Sequence, residues 1–411
     1  MDVIIGGGAT GLAYAAFSGN ECHIIEADQE IGGYCKTVRQ DGFVWDYSGH
    51  FFHFRFPEME EYICRYIAPD ILKKCRKYTQ IRYGQNYIDF PFQKNIHQLE
   101  KHEFIDCLYD LFCNEYSSYS NFREMLYCKF GRGIAEKFLI PYNEKLYACN
   151  LNRLDTDAMG RFFPYADKED IIANFKSSGA KSYNDQFTYP SEGAFEYIKS
   201  LAHRVNPDHI SCGEQVISVN PLKHEVQTDR RTIQYDHLIS TIPFPALLGM
   251  CGIDYDHTVY SWNKVLVFNL GFDSKGNDKK NNWVYFPDKS IIFYRVGYYD
   301  NIIAGDRMSL YVEIGFDKEE TIDVDEAFRQ TLVDLTRCGI ITSQKLVSWH
   351  SVVMNPAYVH ITKDSIADVA AKKDLLSKSD IYSIGRYGSW TYCSIEDGMV
   401  EARDLALQLK D

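Results

Sequence analysis

The sequence predicts an α/β fold in which a helical subdomain and a mixed or antiparallel β-sheet subdomain interrupt an N-terminal βαβ unit. Three observations support this prediction. A short apolar strand, a glycine-rich loop and an Ala/Leu-rich helix open the chain. Residues 97–185 then show long helical patterns with little strand signal, whereas residues 259–315 alternate aromatic and β-branched side chains. The chain of 411 residues also exceeds the length of roughly 250–300 residues at which one hydrophobic core stops growing, so several subdomains are expected.

The glycine-rich loop has the spacing of a dinucleotide-binding site. Gly6, Gly8 and Gly11 follow the first apolar strand in the order G-x-G-x-x-G. In this pattern the first glycine lets the chain turn, the second lets backbone N–H groups approach a pyrophosphate, and the third lets helix and strand pack closely. Glu26 ends the next strand, where a carboxylate can accept hydrogen bonds from a ribose diol. The first fifty residues therefore predict a Rossmann-like domain.

Later segments extend this prediction along the chain. Helical periodicity predicts helices over 98–113 and 121–138, and the last residues predict a strand over 381–385 followed by a helix over 395–408. The dinucleotide-binding domain is therefore expected to be discontinuous. The predicted organisation is a dinucleotide-binding domain of residues 1–80, 187–250 and 378–411, a helical substrate subdomain of 97–186, and a β-sheet substrate subdomain of 81–96 and 251–377.

Composition limits the classes of partner. With 44 basic and 57 acidic side chains, the net charge of -13 disfavours binding to nucleic acid or an anionic membrane through bulk electrostatics. No apolar run approaches the roughly 20 residues that a membrane span needs. The 12 cysteines include no C-x-x-C pair, which favours free thiols. A cytoplasmic enzyme is expected, with no nucleic-acid partner and no stable membrane insertion.

The run from Glu26 to Thr37 separates FAD from NAD as the expected dinucleotide. It resembles the acidic residue, double glycine and basic residue of the amine-oxidase-like flavoprotein superfamily, with Gly33 and Lys36 at the glycine and basic positions. Residues 214–217 resemble the strand that lies beside adenosine in that superfamily, and residues 235–243 resemble its returning strand. The resemblance implies FAD as the cofactor, with Gln215 and Val216 near its adenosine portion.

Four further segments resemble the UDP-galactopyranose mutase family, most closely its eukaryotic-type branch. They are residues 48–50, 87–96, 141–147 and 383–392, the last matching Gly-Arg-Phe-Gly-Ser-Trp-x-Tyr almost throughout. The resemblance implies that Gly49, His50, Gly385 and Arg386 approach the flavin. It implies that the uridine is held by Phe92, Gln93, Tyr142, Asn143 and Tyr147. It implies that the diphosphate is bound by Arg161 and Arg295, with further substrate contacts from Trp283, Tyr285, Tyr358 and Tyr392.

The family resemblance also implies a reaction. It implies a mutase that interconverts UDP-galactopyranose and UDP-galactofuranose for cell-surface polysaccharides, with N5 of reduced FAD as nucleophile and no net oxidation. Arg161 and Arg295 would hold the departing diphosphate, and His50 would shape the flavin face. An external electron donor, NAD(P)H or a reductase, would keep the flavin reduced. The sequence leaves the oligomeric state open, a homo-oligomer being one alternative.

Other functions remain open at this point. The first domain alone fits an amine-oxidase-like oxidoreductase or a carotenoid-type desaturase equally well, and a flavin-bearing sensor without turnover is a third class. His50 and His53 are spaced as a metal pair would be, but no third ligand follows at useful spacing, so no metal is expected. The paired arginines favour the mutase, because a planar guanidinium suits phosphate oxygens.

Overall fold

The structure, a computed structural model, describes residues 1–176 and 186–410. Part of the predicted helical subdomain, residues 177–185, lies outside the described residues.

The described chain contains runs of consecutive strands and a run of helices between β7 and β8. The strands are β1 (Asp2–Ile5), β2 (Cys22–Glu26), β3 (Thr37–Gln40), β4 (Phe43–Asp46), β5 (Leu72–Arg76), β6 (Thr79–Tyr83), β7 (Asn86–Asp89), β8 (Gln186–Pro190), β9 (Ile210–Cys212), β10 (Val216–Asn220), β11 (Glu225–Thr228), β12 (Thr232–Gln234), β13 (His237–Ser240), β14 (Asn263–Phe272), β15 (Trp283–Tyr285), β16 (Arg295–Tyr298), β17 (Ser309–Asp317), β18 (Leu346–Met354) and β19 (Ile381–Ser383). The helices are α1 (Ala9–Phe17), α2 (Pro57–Cys64), α3 (Lys101–Phe112), α4 (Phe122–Ile134), α5 (Ile140–Tyr147), α6 (Lys168–Lys176), α7 (Phe195–Ala202), α8 (Phe244–Met250), α9 (Tyr299–Ile302), α10 (Val324–Arg337), α11 (Lys363–Ser377), α12 (Gly385–Gly388) and α13 (Ile395–Gln408).

A parallel five-stranded sheet joins distant parts of the chain. Its order is β19-β13-β1-β2-β9, and each neighbouring pair runs parallel. The central strands are apolar and buried on both faces, as parallel strands covered by helices usually are. Helix α13 packs against α1, so the C-terminal segment lies beside the glycine-rich loop. An antiparallel three-stranded sheet, β10-β11-β12, follows β9 in the chain.

The second large sheet is mixed and has seven strands. Its order is β18-β14-β17-β16-β15-β6-β7, in which β15 and β6 pair parallel and the other neighbours pair antiparallel. Alternate side chains of β17 enter two different cores, because successive residues of a strand point to opposite faces. Leu310 and Val312 belong to a core closed by α10, whereas Tyr311 belongs to the core shared with the dinucleotide-binding unit.

The helical layer has the predicted helices with altered ends. The helix predicted over 98–113 is α3, and the one predicted over 121–138 is α4 followed by a π-helical turn, Ala135–Leu139. Asn121 caps α4 by accepting a hydrogen bond from Glu124 N at 3.0 Å. Gly131 interrupts α4 with φ of 72°, and a Cβ there would lie 2.3 Å from the carbonyl oxygen of Asp110. The close approach of α3 therefore requires a glycine.

Two C-terminal predictions have different outcomes. The helix expected over 395–408 is confirmed as α13. The strand expected over 381–385 was too long, because β19 ends at Ser383 and Gly385, with φ of 81°, turns the chain into α12. All twelve cysteines are free thiols. Among the described residues, no helix has both the length and the apolarity to cross a membrane.

Candidate functional site

The glycine-rich loop forms an open backbone surface at the start of α1. Gly6 has φ of 102°, a conformation that favours glycine, and a Cβ on Gly11 would lie 2.1 Å from the carbonyl oxygen of Gly6. A Cβ on Gly8 would meet nothing nearer than the Cα of Gly33, at 4.0 Å. The two glycine turns therefore face each other with no side chain between them. This arrangement fits the close backbone approach that a pyrophosphate needs.

The carboxylate of Glu26 lies beside this loop. It accepts hydrogen bonds from Gly7 N at 2.7 Å and from Asp28 N at 2.8 Å. Lys36, the basic residue of the second glycine motif, forms an ion pair with Asp28, and its side chain is almost fully buried. This ion pair lowers the pKa of Asp28. If Lys36 binds a phosphate, its ammonium group must therefore contact the phosphate and the Asp28 carboxylate at the same time.

The C-terminal string lies against the same loop. A Cβ on Gly385 would lie 2.8 Å from the side-chain oxygen of Thr10, in the first turn of α1. The guanidinium of Arg386 donates to the carbonyl oxygen of Cys393 and lies 5.2 Å from the ring centroid of Tyr392. The structure thus brings Gly385 to the glycine-rich loop, while the side chain of Arg386 lies against Cys393 and Tyr392. Gln215 is exposed, and its N–H is bonded to Asp229 at 3.0 Å, while Val216 is buried in β10.

His50 lies at the edge of this region as a neutral imidazole. Burial, followed by the charge of Arg386, lowers the pKa of His50 to about 4. Its Nδ1 is buried and has no hydrogen-bond partner among the described residues. The preceding Gly49 is tightly enclosed, because a Cβ there would lie 2.6 Å from the hydroxyl oxygen of Tyr311. An unpartnered polar atom beside the tightly enclosed Gly49 fits a site that receives a polar ring.

Both arginines expected to bind a diphosphate are paired with carboxylates. Arg295 donates to Glu313 through Nε at 2.6 Å and through Nη2 at 2.7 Å, and the Glu313 side chain is only 1% exposed. Glu313 also accepts a hydrogen bond from Ser48, in the His50 loop. Arg161 donates to both carboxylate oxygens of Asp397, at 2.8 and 2.7 Å. Within each pair the two charges cancel, and Asp397 also lies 3.7 Å from a guanidinium nitrogen of Arg55, so an anion at either arginine would compete with a carboxylate.

Neither carboxylate was identified from the sequence as a site residue. Glu313 could have been noticed, because it is a single acidic residue inside the apolar strand β17, where charged residues are rare unless paired. Asp397 forms the capping box of α13 with Ser394, and the Ser-x-x-Asp spacing at 394–397 is a recognisable sequence signal. What the sequence could not reveal is that Asp397 meets an arginine 236 positions away, and that Glu313 lies opposite Arg295 on the neighbouring strands β16 and β17.

The aromatic residues expected to contact the diphosphate form one cluster. Trp283 donates its indole N–H to the hydroxyl oxygen of Tyr285 at 2.7 Å. The Tyr358 and Tyr392 rings are stacked, with centroids 5.7 Å apart. Burial raises the pKa of Tyr285 and of Tyr392, and the positive charge of Arg295 offsets part of this rise for both side chains. Five of the predicted substrate residues therefore surround one region: Trp283, Tyr285, Arg295, Tyr358 and Tyr392.

The residues expected to hold a base continue from this cluster into the helical layer. Ring contacts link Phe92 to Phe138, Phe138 to Tyr142, and Tyr142 to Tyr285, with centroids 5.2 to 5.3 Å apart. Gln93 and Asn143 are buried, and each donates from its amide nitrogen to a backbone carbonyl. Three buried polar atoms of this group have no hydrogen-bond partner among the described residues: Gln93 Oε1, Asn143 Oδ1 and Tyr147 Oη. Each of these atoms has the capacity to form a hydrogen bond with a polar group of a ligand.

The described residues offer no obvious place for a metal ion. Within 1–176 and 186–410, no group of three or more His, Cys, Asp or Glu side chains is arranged to hold one.

His360 contacts the backbone of Tyr147, and its buried imidazole predicts how the free energy of unfolding depends on pH. Its Nε2 lies 2.9 Å from the Tyr147 carbonyl oxygen, its Nδ1 lies 3.0 Å from the Ser261 hydroxyl, and burial lowers its pKa from 6.5 to about 4. In the unfolded chain the His360 imidazole becomes protonated as the pH falls below 6.5. In the folded protein it stays neutral down to about pH 4. Lowering the pH from 6.5 to 5 should therefore reduce the free energy of unfolding by about 2 kcal/mol through this residue.

Urea unfolding at several pH values measures this effect. Between pH 6.5 and 5, the free energy of unfolding of the His360→Gln variant should fall less than that of the original protein. An exposed control, His257→Gln, should leave the dependence unchanged. Parallel curves for the original protein and His360→Gln would contradict the prediction.

Comparison with known proteins agrees with this architecture. A family model described as an NAD(P)-binding Rossmann-like domain matches residues 4–66. The chain is similar to the crystal structure of a reduced UDP-galactopyranose mutase, with 24% sequence identity, a TM-score of 0.91, and coverage of 99% of this chain and 95% of that chain. The predicted fold class is therefore confirmed.

Oxidases share the fold at lower similarity. A protein from Exiguobacterium sp. 255-15, provisionally named protoporphyrinogen oxidase, has 16% identity and a TM-score of 0.79, with 99% of this chain and 98% of that chain covered. Cyclohexylamine oxidase from Brevibacterium oxydans IH-35A has 12% identity and a TM-score of 0.67, with 99% of each chain covered. A fold shared by a mutase and by oxidases does not decide the reaction.

Proposed function

We propose that the protein is a flavin-dependent mutase that interconverts the pyranose and furanose forms of a nucleotide-diphosphate sugar, with UDP-galactose as the expected sugar nucleotide. The observation that carries the proposal is the convergence of Arg161 and Arg295. Arg161 lies over Phe162, Phe162 contacts Tyr392, and the charge of Arg295 reaches Tyr392. Arg161 is thus linked to the Tyr392 ring through Phe162, and Arg295, from a distant segment, acts on the same ring by its charge. The similarity to a reduced UDP-galactopyranose mutase over 99% of the chain supports the same conclusion.

FAD is the cofactor that the proposal requires. Gly8 and Gly33 would lie against its pyrophosphate, Glu26 would accept from its ribose, and His50 and Gly385 would lie near its ring. The reduced cofactor would supply a nucleophilic nitrogen, which is the chemistry that the protein's own side chains lack.

The protein's residues would then position the substrate rather than transfer protons. Arg161 and Arg295 would hold the diphosphate in place while it is separated from the sugar, close enough to add again. Tyr285, Tyr358 and Tyr392 would offer hydroxyl groups to the same phosphates. His50 remains neutral at physiological pH, since its pKa is lowered to about 4, and it would serve as a polar surface rather than as an acid.

The decisive experiment adds dithionite-reduced protein to UDP-galactofuranose and follows UDP-galactopyranose by chromatography. Conversion is expected after reduction and not with the oxidised protein. The Arg161→Gln variant should lose at least about tenfold in kcat/KM, because a charge-assisted contact to phosphate is removed. Arg132→Gln is a matched control, since Arg132 is exposed and forms an ion pair with Glu136 four residues away. Unchanged turnover by Arg161→Gln would contradict the proposed role.

An amine-oxidase-like oxidoreductase is the second candidate function. The observation that favours it is that both arginines already pair with carboxylates, so the site carries less positive charge than a diphosphate site built from two unpaired arginines. Oxygen consumption with an amine substrate, without any isomerisation of the sugar nucleotide, would favour this function over the mutase.

A further inference from the structure

The ammonium group of Lys145 joins helix α5 to the connecting segment, residues 286–293, which follows β15 and leads toward β16. Its Nζ donates to the carbonyl oxygens of Phe286 at 2.8 Å, Asp288 at 2.9 Å and Phe293 at 2.5 Å. These carbonyls come from both ends of the connecting segment and from its interior. All three N–H donors of the ammonium group are therefore used within one segment.

The three carbonyl acceptors require Lys145 in its charged form. A neutral amine has only two N–H donors, so one of the carbonyls would face a lone pair instead. Burial lowers the pKa of Lys145 to about 7, and the negative charge of Asp288 opposes this effect. Below this pH the ammonium group holds the connecting segment to α5 at three points.

Helix α5 and the connecting segment carry different parts of the candidate site. On α5 lie three of the residues expected to hold the base: Tyr142, Asn143 and Tyr147. The connecting segment begins directly after Tyr285 and ends two residues before Arg295, and both are expected to contact the diphosphate. The Tyr142 and Tyr285 rings meet with centroids 5.2 Å apart. Lys145 therefore links the chain that would bind the base to the chain that would bind the diphosphate.

The C-terminal end of α5 also lies closely against β17. A Cβ on Gly315 would lie 2.3 Å from the carbonyl oxygen of Lys145, so the backbone of the strand itself approaches the helix. The same strand carries Glu313, the partner of Arg295. The backbone of α5 is thus in contact with β17, and the Lys145 side chain is bound to the connecting segment.

A nucleoside diphosphate would span both parts of the site, so its affinity depends on the distance between them. We propose that Lys145 is a positioning residue that fixes the base subsite on α5 relative to the diphosphate subsite at Tyr285 and Arg295. The inference rests on the proposed function and extends it, because it assigns a residue that favours ligands carrying both a base and a diphosphate.

Binding of three ligands to the flavin-loaded full-length protein, measured by calorimetry at about pH 6, tests the inference, since Lys145 is charged at this pH. Uridine would occupy only the base subsite, pyrophosphate only the diphosphate subsite, and UDP both. Lys145→Met should weaken UDP binding about tenfold or more. The affinity for uridine and for pyrophosphate should change less than about threefold, because each subsite is kept and only their relative position is released.

An exposed lysine of the same connecting segment provides the control. Lys289 pairs with Glu144 of α5 at 2.5 Å, and Lys289→Met should bind all three ligands as the original protein does, because an exposed ion pair contributes little. Lys145→Gln keeps two N–H donors and provides a second variant if Lys145→Met does not retain its flavin. It should show the same pattern with a smaller loss for UDP.

Three outcomes would contradict the inference. Unchanged UDP affinity in a folded, flavin-loaded Lys145 variant would overturn the positioning role and leave the proposed function standing. Equal losses for uridine and UDP would also overturn it, because they would indicate local damage to the base subsite. Failure of the original protein to bind UDP would overturn both the positioning role and the proposed function.

Discussion

Replacing Arg295 with Ala should destabilise the protein by about 3–5 kcal/mol, whatever reaction it catalyses. The Glu313 carboxylate is 1% exposed and receives both Nε and Nη2 of Arg295. Removing the guanidinium leaves an uncompensated charge in the interior of the seven-stranded sheet. The remaining hydrogen bond from Ser48 cannot replace an opposite charge. Urea unfolding should show the loss as a lower midpoint with an unchanged slope.

A double variant separates the two roles of Arg295. In Arg295→Met with Glu313→Gln the buried charge is removed together with its partner, so most of the stability should return. Under the proposed function, nucleotide-sugar binding should stay lost, because the guanidinium that would bind the phosphates is absent. An unfolding midpoint for Arg295→Ala equal to that of the original protein would contradict the buried-pair account. Recovery of ligand binding in the double variant would contradict the assignment of Arg295 to the substrate.

The pairing of Arg295 also shows where sequence reasoning stopped. Residue types with a local signature were readable: the glycine turns, the ends of α13 and the apolar strands follow from spacing and periodicity alone. The pairing of Arg295 with Glu313, only 18 positions away on the neighbouring strand, was not recognised, and the more distant partners of Arg161 and Glu313 were not readable. Arg161 and Asp397 are 236 positions apart, and Ser48 and Glu313 are 265 apart. Such contacts depend on how the subdomains are arranged, which no local pattern encodes.

Lys36 illustrates a different limit. Its motif identified it as a phosphate-facing charge, and the structure places an acidic residue, Asp28, within its reach. Asp28 belongs to the same short run, so both residues were visible, yet charge alone does not say whether a lysine contacts a ligand or a neighbouring carboxylate. The same ambiguity applies to Arg161 and Asp397. Carboxylates beside cations are thus a recurring feature of this site, and they limit its net positive charge.

Substitutions in the glycine-rich loop should separate folding from cofactor binding. Gly11→Ala should cost about 3 kcal/mol or more of the free energy of unfolding, because its Cβ would lie 2.1 Å from the Gly6 carbonyl oxygen, which is backbone and cannot turn aside. Gly8→Ala should change stability by less than about 0.5 kcal/mol, since its Cβ meets only the Gly33 Cα at 4.0 Å. The added methyl group would instead occupy the face that a pyrophosphate approaches, so binding of the FAD that the proposed function requires should be lost.

Flavin absorbance of the purified protein and urea unfolding of the flavin-free protein together measure both effects. Gly249→Ala is the matched control, because Gly249 lies in helix α8 and a Cβ there meets no atom within 4 Å. That variant should keep its flavin and gain slightly in stability, as alanine is favoured over glycine in helices. If Gly8→Ala retained full flavin content, the dinucleotide would have to bind elsewhere than between the turns at Gly8 and Gly33. A Gly11→Ala protein as stable as the original would contradict the steric argument from the contact between Gly11 and the Gly6 carbonyl oxygen.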